Sequence, residues 1–135
     1  MEILQENYSK VITIEALTMV EMANKQIAPA VSSYCKSLSE TAVNKKTLGI
    51  DATAELTVLR LLSKLNADFV TDVTKLSEIL SESKDIHNAK DLSFYCAEKI
   101  IPSMKEIRTL ADEMELHTAR EYWPFPTYGD LMFNI

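Results

Sequence analysis

Only two histidines are present in this chain of 135 residues, and their spacing from acidic residues does not assemble a metal site. A di-iron site in a helical bundle needs Glu-x-x-His on two helices, together with further inward-facing glutamates. The residue three positions before His87 is Lys84. The residue three positions before His117 is Met114, although Glu113 could share a helix face with this histidine. We therefore expect no metal site.

Nucleophilic and acid–base chemistry have equally little support. Cys35 and Cys96 lie among apolar residues of helical period, where a thiol behaves as a small hydrophobic group. Two distant cysteines form neither a disulfide framework nor a zinc site. Serine is plentiful, but the G-x-S-x-G motif of hydrolases is absent from the sequence. Acidic pairs such as Glu113 and Glu115 have no context that would raise a pKa. We expect neither catalytic nor cofactor-binding residues.

The composition excludes several classes of partner. A net charge of −6 opposes the phosphate backbone of nucleic acids. No apolar run approaches the ~20 residues that span a bilayer. The start of the sequence, MEILQENYSK, lacks the basic and apolar regions of a secretory signal. These features predict a cytoplasmic protein that binds neither nucleic acid nor membrane.

Three long helices account for most of the chain. Only two glycines are present, which disfavours tight hairpins and glycine-rich phosphate loops. Apolar residues recur at steps of three and four over residues 10–46, 52–83 and 88–116, which predicts a helix over each range. Short connections require neighbouring helices to run antiparallel. The sequence therefore predicts a single all-α domain, an up-down-up three-helix antiparallel bundle.

Each predicted helix has one stripe of residues that should face the core. The first stripe is Leu17, Val20, Asn24, Ile27, Val31, Tyr34 and Leu38. The second is Leu59, Leu62, Asn66, Phe69, Val73, Leu76 and Leu80. The third is Ala97, Ile100, Met104, Ile107, Ala111 and Met114. Asn24 and Asn66 would either fix the register of the helices or be satisfied by local water.

Prolines and capping residues refine this prediction. Pro29 and Pro102 fall inside the first and third stripes. An isolated helix would lose ~3 kcal/mol at a proline, but each buried aliphatic side chain contributes ~1.5–3 kcal/mol, so we expect kinks rather than broken helices. Gly49 suits a left-handed C-cap, and Asp51 suits the N-cap of the second helix. Either Asp85 or Asn88 could cap the third helix.

Aromatic residues and prolines are concentrated in the last fifteen residues, EYWPFPTYGDLMFNI. Residues 117–135 are predicted to form an extended tail, because Pro124 and Pro126 exclude a helix. Such a segment must dock, either on its own bundle or on another domain or subunit, where Trp and Tyr are favoured anchors. The candidate contact residues are Trp123, Pro124, Phe125, Pro126, Tyr128, Leu131 and Phe133. The methionines Met19, Met22, Met104 and Met114 are expected to fill gaps in the core rather than to form a binding face.

Two stretches of the sequence resemble a known family. They are ITIEALTMVEMANKQIAPAV (residues 12–31) and IIPSMKEIRTLADEMELHTAREYWPFPTYGDLMF (residues 100–133). The chain resembles, over nearly its whole length, the C-terminal helical domain of type III bacterial glutamine synthetases. The middle helix is the least distinctive part. The family more often has Leu where this chain has Ala28.

The resemblance implies that the chain is a fragment of a longer glutamate–ammonia ligase of glutamine biosynthesis and nitrogen metabolism. That enzyme joins ammonia to glutamate with ATP, and divalent ions, Mg or Mn, are held by carboxylates. None of the family's catalytic, ATP or metal residues maps onto this chain. Its partners would be the catalytic domain of the same chain and neighbouring subunits of a homo-oligomeric ring. The expected function is therefore an accessory, structural or assembly domain. The alternative is a free-standing helical interaction or sensor module.

Overall fold

The first helix runs without interruption from near the start of the chain to Thr47. In the computed structural model, which describes residues 2–126, α1 (Glu2–Met22) passes through a π turn (Ala23–Ile27) into α2 (Ala28–Thr47). The helix begins eight residues before the predicted start at residue 10. Glu, Leu, Gln and Lys in this first stretch are good helix formers, and Ser9 is only 2% exposed, so the helix already packs there.

The second and third helices follow after short connections. The second helix is α3 (Thr53–Ser83). The third comprises α4 (Ala89–Tyr95), a π turn (Cys96–Ile100) and α5 (Ile101–His117). No strand occurs within residues 2–126. The architecture is the predicted all-α three-helix bundle, in which α3 packs against both α2 and α5.

The turn between the first two helices is a Schellman motif. The amide of Gly49 donates to the carbonyl of Lys46 at 3.1 Å, and the amide of Ile50 donates to that of Lys45 at 2.7 Å. Gly49 has a φ of +74°, the left-handed conformation that the sequence predicted. These two hydrogen bonds satisfy carbonyls at the end of α2 and reverse the chain.

The caps of the second and third helices agree with the prediction in one case only. The N-cap of α3 is Ala52 rather than the predicted Asp51, although the Asp51 side chain bonds to the first residue of the helix. Asp51 Oδ1 accepts hydrogen bonds from the amide of Thr53 at 3.1 Å and from its hydroxyl at 2.6 Å. These bonds lower the pKa of the Asp51 carboxyl, and the bond from the hydroxyl has the larger effect. Asn88 is the N-cap of α4, and its Oδ1 accepts from the amide of Asp91 at 3.1 Å. Of the two candidates for this cap, the structure selects Asn88.

Both internal prolines lie two residues after the end of a π turn. The amide of Ala28 donates to the carbonyl of Ala23, and that of Ile101 donates to Cys96, five residues back in each case. Pro29 and Pro102 each follow as the next residue. A proline donates no amide hydrogen bond and crowds the carbonyl four residues earlier, and the wider turn accommodates both effects. The helices therefore continue through their prolines.

Each π turn adds one residue and rotates the buried stripe that precedes it. The predicted stripe is right after the turn, where Val31 and Leu38 are buried. Before the turn it is only partly right, because Val20 packs against the core but Leu17 is 53% exposed and Ala16 is buried in its place. The third helix shows the same one-residue shift, since Cys96 is buried and Ala97 is exposed. A regular helical period cannot anticipate an inserted residue.

The middle helix contains no π turn, and its stripe is buried as predicted. Leu62, Phe69 and Leu76 are completely buried, and Val73 is 1% exposed. Their spacing of seven, four and three residues keeps one face of α3 against both neighbouring helices. This face is the centre of the hydrophobic core.

The two asparagines of the predicted stripes have different environments. Asn24 lies in the first π turn and is exposed, so it is not a register residue. Asn66 is half-buried, and its Nδ2 donates to the carbonyl of Ala28 and to Ser32 Oγ, both at 3.3 Å. Asn66 thus connects α3 to the proline-containing part of the first helix.

The left-handed residue of the Schellman motif gives a stability prediction. Gly49→Ala should lower the free energy of unfolding by about 1–2 kcal/mol, because an L residue is strained in this conformation. A Cβ at position 49 would meet no atom within 4 Å, so the loss is a backbone effect. Urea denaturation followed by circular dichroism measures it. Gly49→Asn is the matched control and should lose less, since Asn tolerates this conformation; equal losses in the two variants would contradict the explanation.

A salt bridge beside the same turn gives a pH prediction. Lys45 Nζ donates to Glu55 Oε2 at 2.8 Å, and this hydrogen bond lowers the pKa of the Glu55 carboxyl. Because the pKa of Glu55 is lower in the folded state, the ionised carboxyl stabilises the fold at pH values above the ordinary glutamate pKa of 4.5. This stabilisation is lost as the pH falls through the folded-state pKa. The melting temperature of Glu55→Gln should therefore lie below that of the wild type at about pH 7 and converge with it below about pH 4.

The control for this pH series is Glu78→Gln, which removes an exposed glutamate from the same helix. If the melting temperatures of Glu78→Gln and the wild type converged at low pH by the same amount, the Lys45–Glu55 pair would not be the cause of the convergence.

Candidate functional site: an apolar groove beside the aromatic tail

An apolar groove of about 700 Å³ lies between α1 and α5. Phe69 of the middle helix and Ile107 of α5 are among the buried residues that line it. Trp123 and Phe125 border it where the tail leaves the third helix. The groove is the one feature of the described surface that combines apolar side chains from two helices and the tail. We refer to it as the tail groove.

Three methionines contribute to the walls of the tail groove. Met19 and Met22 lie on α1, and Met104 lies on α5. All three are half-buried, whereas Met114 is completely buried in the core. Met19 and Met104 pack against the core, as Met114 does within it, so the expectation holds for these three, and Met19, Met22 and Met104 also line the groove. Their unbranched, polarizable side chains can adapt to an apolar ligand surface.

Charged side chains surround the tail groove and are mostly acidic. Glu15 of α1 lies on one side, and Asp112 and Glu115 of α5 lie on the other, whereas Arg108 is the one cation in the lining. The formal charge of this set is −2, from three carboxylates and one guanidinium. An apolar ligand surface with a cationic group would complement it.

The start of the tail docks on its own bundle. After α5, residues Arg120–Tyr122 form a short 3₁₀ turn, which contacts α2. The rings of Tyr122 and Tyr34 have their centroids 5.1 Å apart and are tilted by 42°, a favourable aromatic contact. Trp123 packs against the hydrophobic core. Of the two docking modes that the sequence left open, this part of the tail adopts the one on its own bundle.

The predicted contact residues fall into three groups. Trp123 and Phe125 are half-buried and border the tail groove. Pro124 and Pro126 are exposed. Tyr128, Leu131 and Phe133 lie outside the described residues. The sequence identified the tail side of the groove, but it missed the methionines and the acidic rim, because their proximity depends on how α1 packs beside α5.

The two histidines lie far from one another. His87 lies in the second connection and His117 at the end of α5, about 40 Å apart along the third helix at 1.5 Å per residue. Both histidines are exposed. Within residues 2–126, no three His, Cys, Asp or Glu side chains come together as metal ligands. In the same range, no helix has both the length and the apolar character of a membrane span.

Two polar side chains at helix contacts have a raised pKa. Burial raises the pKa of the Cys35 thiol, and a hydrogen bond from Ser63 Oγ at 4.0 Å partly opposes this effect. Cys35 is therefore protonated at neutral pH and is a poor nucleophile. Burial, together with the nearby Glu82 carboxylate, raises the pKa of Tyr95. The Tyr95 hydroxyl donates to the carbonyl of Ile79 at 3.1 Å and joins α4 to the end of α3.

The fold is an all-α bundle, and the tail groove is an apolar groove on its surface. Residues 1–46 match a family model described as "Glutamine synthetase C-terminal domain". The chain is 38% identical to a glutamine synthetase of Butyrivibrio fibrisolvens, in an alignment covering 99% of this chain and 19% of that protein. It is 26% identical to the type-3 glutamine synthetase of Dictyostelium discoideum, covering 98% and 19%. No solved structure matches significantly.

A glutamine synthetase of Bacteroides fragilis (strain YCH46) is 25% identical, again over 99% of this chain and 19% of the relative. The chain thus matches the C-terminal domain of glutamine synthetases, a type-3 enzyme among them, and the resemblance drawn from its motifs is confirmed. It spans about a fifth of the length of these curated relatives.

The packing of the tail predicts that Trp123 stabilises the bundle. Trp123→Ala should lower the free energy of unfolding by roughly 2 kcal/mol, because a half-buried indole is lost from the core surface. Pro124→Ala, which removes an exposed neighbour, should change it by no more than about 0.5 kcal/mol. Urea denaturation of both variants measures the difference. Equal stability of the two variants would contradict the docking of the tail on its own bundle.

Proposed function

We propose that this chain is an accessory helical domain of a glutamine synthetase and acts in its structure or assembly. The observation that carries the proposal is the match to glutamine synthetases over 98–99% of the chain. Within residues 2–126, no three His, Cys, Asp or Glu side chains come together as metal ligands, and burial raises the pKa of the Cys35 thiol. Both observations support a role without chemistry of its own. A cytoplasmic location, as the composition suggested, is part of the proposal.

The reaction in this proposal is the ATP-dependent joining of ammonia to glutamate, carried out by other parts of the enzyme. ATP would supply the activating phosphoryl group, with Mg or Mn ions as its counter-ions. The described part of this chain does not fit these ligands, because no three of its His, Cys, Asp or Glu side chains come together as metal ligands, and the sequence contains no glycine-rich phosphate motif. We therefore assign this chain no step of the reaction.

The structural role would be carried by a contact with the catalytic domain or with a neighbouring subunit of a homo-oligomeric ring. Pro124 and Pro126 are exposed, and Phe125 is half-buried, so this part of the tail has surface available to a partner. Tyr128, Leu131 and Phe133 are proposed to extend the same contact. Aromatic side chains with an apolar body are frequent anchors of such interfaces.

A second candidate function is that of a free-standing helical interaction or sensor module. The tail groove favours it, because a methionine-lined surface can bind an apolar segment of another protein. The two functions differ in genetic context. An open reading frame that continues into a catalytic region supports the accessory domain, whereas one that encodes only these residues supports the module.

The assembly role predicts that Phe125 affects the whole enzyme more than the bundle. In the complete glutamine synthetase, Phe125→Ala should weaken the assembly about tenfold, because an aromatic anchor is removed from a subunit or domain contact. Particle size by analytical ultracentrifugation and the rate of glutamine formation measure this effect. Phe94→Ala is the matched control, since Phe94 is a phenylalanine on α4 that is 68% exposed and does not line the tail groove. An unchanged particle size and rate in Phe125→Ala would remove this role.

A further inference from the structure

The outward side of α1 carries a second row of apolar side chains. Leu4, Tyr8, Val11 and Ile14 are 70%, 38%, 53% and 54% exposed, respectively. Their spacing of four, three and three residues places them on one face of the helix. We refer to these four residues as the outer stripe.

A helix at the surface of a bundle normally has one apolar face and one polar face. In α1, Ser9, Ile12 and Ala16 face the core, while the outer stripe faces away from it. The row is about 15 Å long, at 1.5 Å per residue, and consists of large side chains. Apolar rows of this kind on both sides of a helix are typical of a helix that is covered on both sides.

The outer stripe and the tail groove form one surface. Ile14 belongs to both, because it is the last residue of the stripe and also lines the groove. From Ile14 the apolar surface continues over Met22 toward Trp123. A single partner could therefore cover the stripe and enter the groove.

We propose that the outer stripe and the tail groove are one docking face for the larger remainder of the glutamine synthetase chain, through an apolar segment that carries a Lys or Arg. This inference rests on the proposed function and deepens it, because it locates the contact mainly on α1 rather than on the tail alone. The apolar part of the segment covers the stripe, and its cation lies at the acidic rim of the groove.

The charge of the rim distinguishes between possible occupants. Glu15, Asp112 and Glu115 outnumber Arg108 around the groove, which favours a cationic ligand. A second copy of this chain would bring the same acidic rim against it. The chain's own residues 127–135, TYGDLMFNI, contain an aspartate but neither Lys nor Arg. Both of these occupants fit the rim less well than a basic segment.

The lengths of the relatives provide the second argument. This chain corresponds to about 19% of each relative, so roughly four-fifths of such an enzyme lies outside the matched region. A family model described as the C-terminal domain matches residues 1–46, the range that contains the outer stripe. The larger part of such an enzyme has the area that is needed to cover a surface formed by two helices and the tail.

Site-specific photo-crosslinking in the complete glutamine synthetase tests the proposal. Val11→p-benzoylphenylalanine places the reactive group in the outer stripe, and mass spectrometry locates the crosslinked peptide. We expect crosslinks to a peptide outside residues 1–135 that contains a Lys or Arg beside apolar residues. The control is Phe94→p-benzoylphenylalanine, which should not crosslink to that peptide. Crosslinks from Val11 that map to residues 127–135, that join two copies of this chain, or that do not form at all would overturn the proposal.

Charge and polarity variants then test the chemistry of the face. Adding Ile14→Asp or Asp112→Lys to the Val11 photo-crosslinking protein should reduce the crosslink yield about tenfold. The melting temperature of the 135-residue chain should stay within about 3 °C in each variant, because both side chains are exposed. Adding Phe94→Asp, the matched control, should leave the yield unchanged. A yield unchanged by Ile14→Asp would also overturn the proposal.

The failure of this inference is distinguishable from the failure of the proposed function. If Phe125→Ala disrupts the particle but Val11 does not crosslink outside the chain, the accessory role stands and the docking face on α1 is wrong. If the reading frame encodes no catalytic region, the proposed function itself fails.

Discussion

The apolar stripe of α3 is the surface on which the other two helices depend. Phe69 and Leu76 are completely buried, and they lie between α1–α2 on one side and α5 on the other. Burial of each such side chain contributes about 1.5–3 kcal/mol, more than a cap or an exposed ion pair. Because α3 has a regular period and contains no proline, its stripe stays straight, and the proline-containing helices must adjust to it.

The two π turns are that adjustment. Each ends two residues before a proline and inserts one residue, so that the residues before and after the turn can both face α3. In the first helix, the buried residues change from Ala16 and Ala23 to Val31 and Leu38. Small alanines before the turn let α1 approach the core closely. The same rotation turns Val11 and Ile14 outward, and an exposed apolar row on α1 is thus a consequence of how its core face is arranged.

Ionisable and apolar side chains are distributed differently over the described surface. Many of the described ionisable groups are spread along helix surfaces. Asp51 and Glu55 form hydrogen bonds near the start of α3, and the amide side chain of Asn88 caps α4. Apolar groups, in contrast, converge in the tail groove, which Met19 of α1 and Met104 of α5 both line. Apolar grooves of this kind are common binding sites, and the docking face that we propose includes this one.

The sequence by itself determined the features that depend on local chemistry. Helical period predicted three helices and the whole buried stripe of α3, Gly49 predicted the left-handed turn, and the motifs around Pro29 and Trp123 identified the family. Only the tertiary structure decided the burial of Ala16 instead of Leu17, the exposure of Asn24, and the meeting of α1, α5 and the tail in one groove. The reason is physical, because a π turn forms only where packing against α3 compensates for its weaker hydrogen bonding, and a local pattern contains no information about that neighbour.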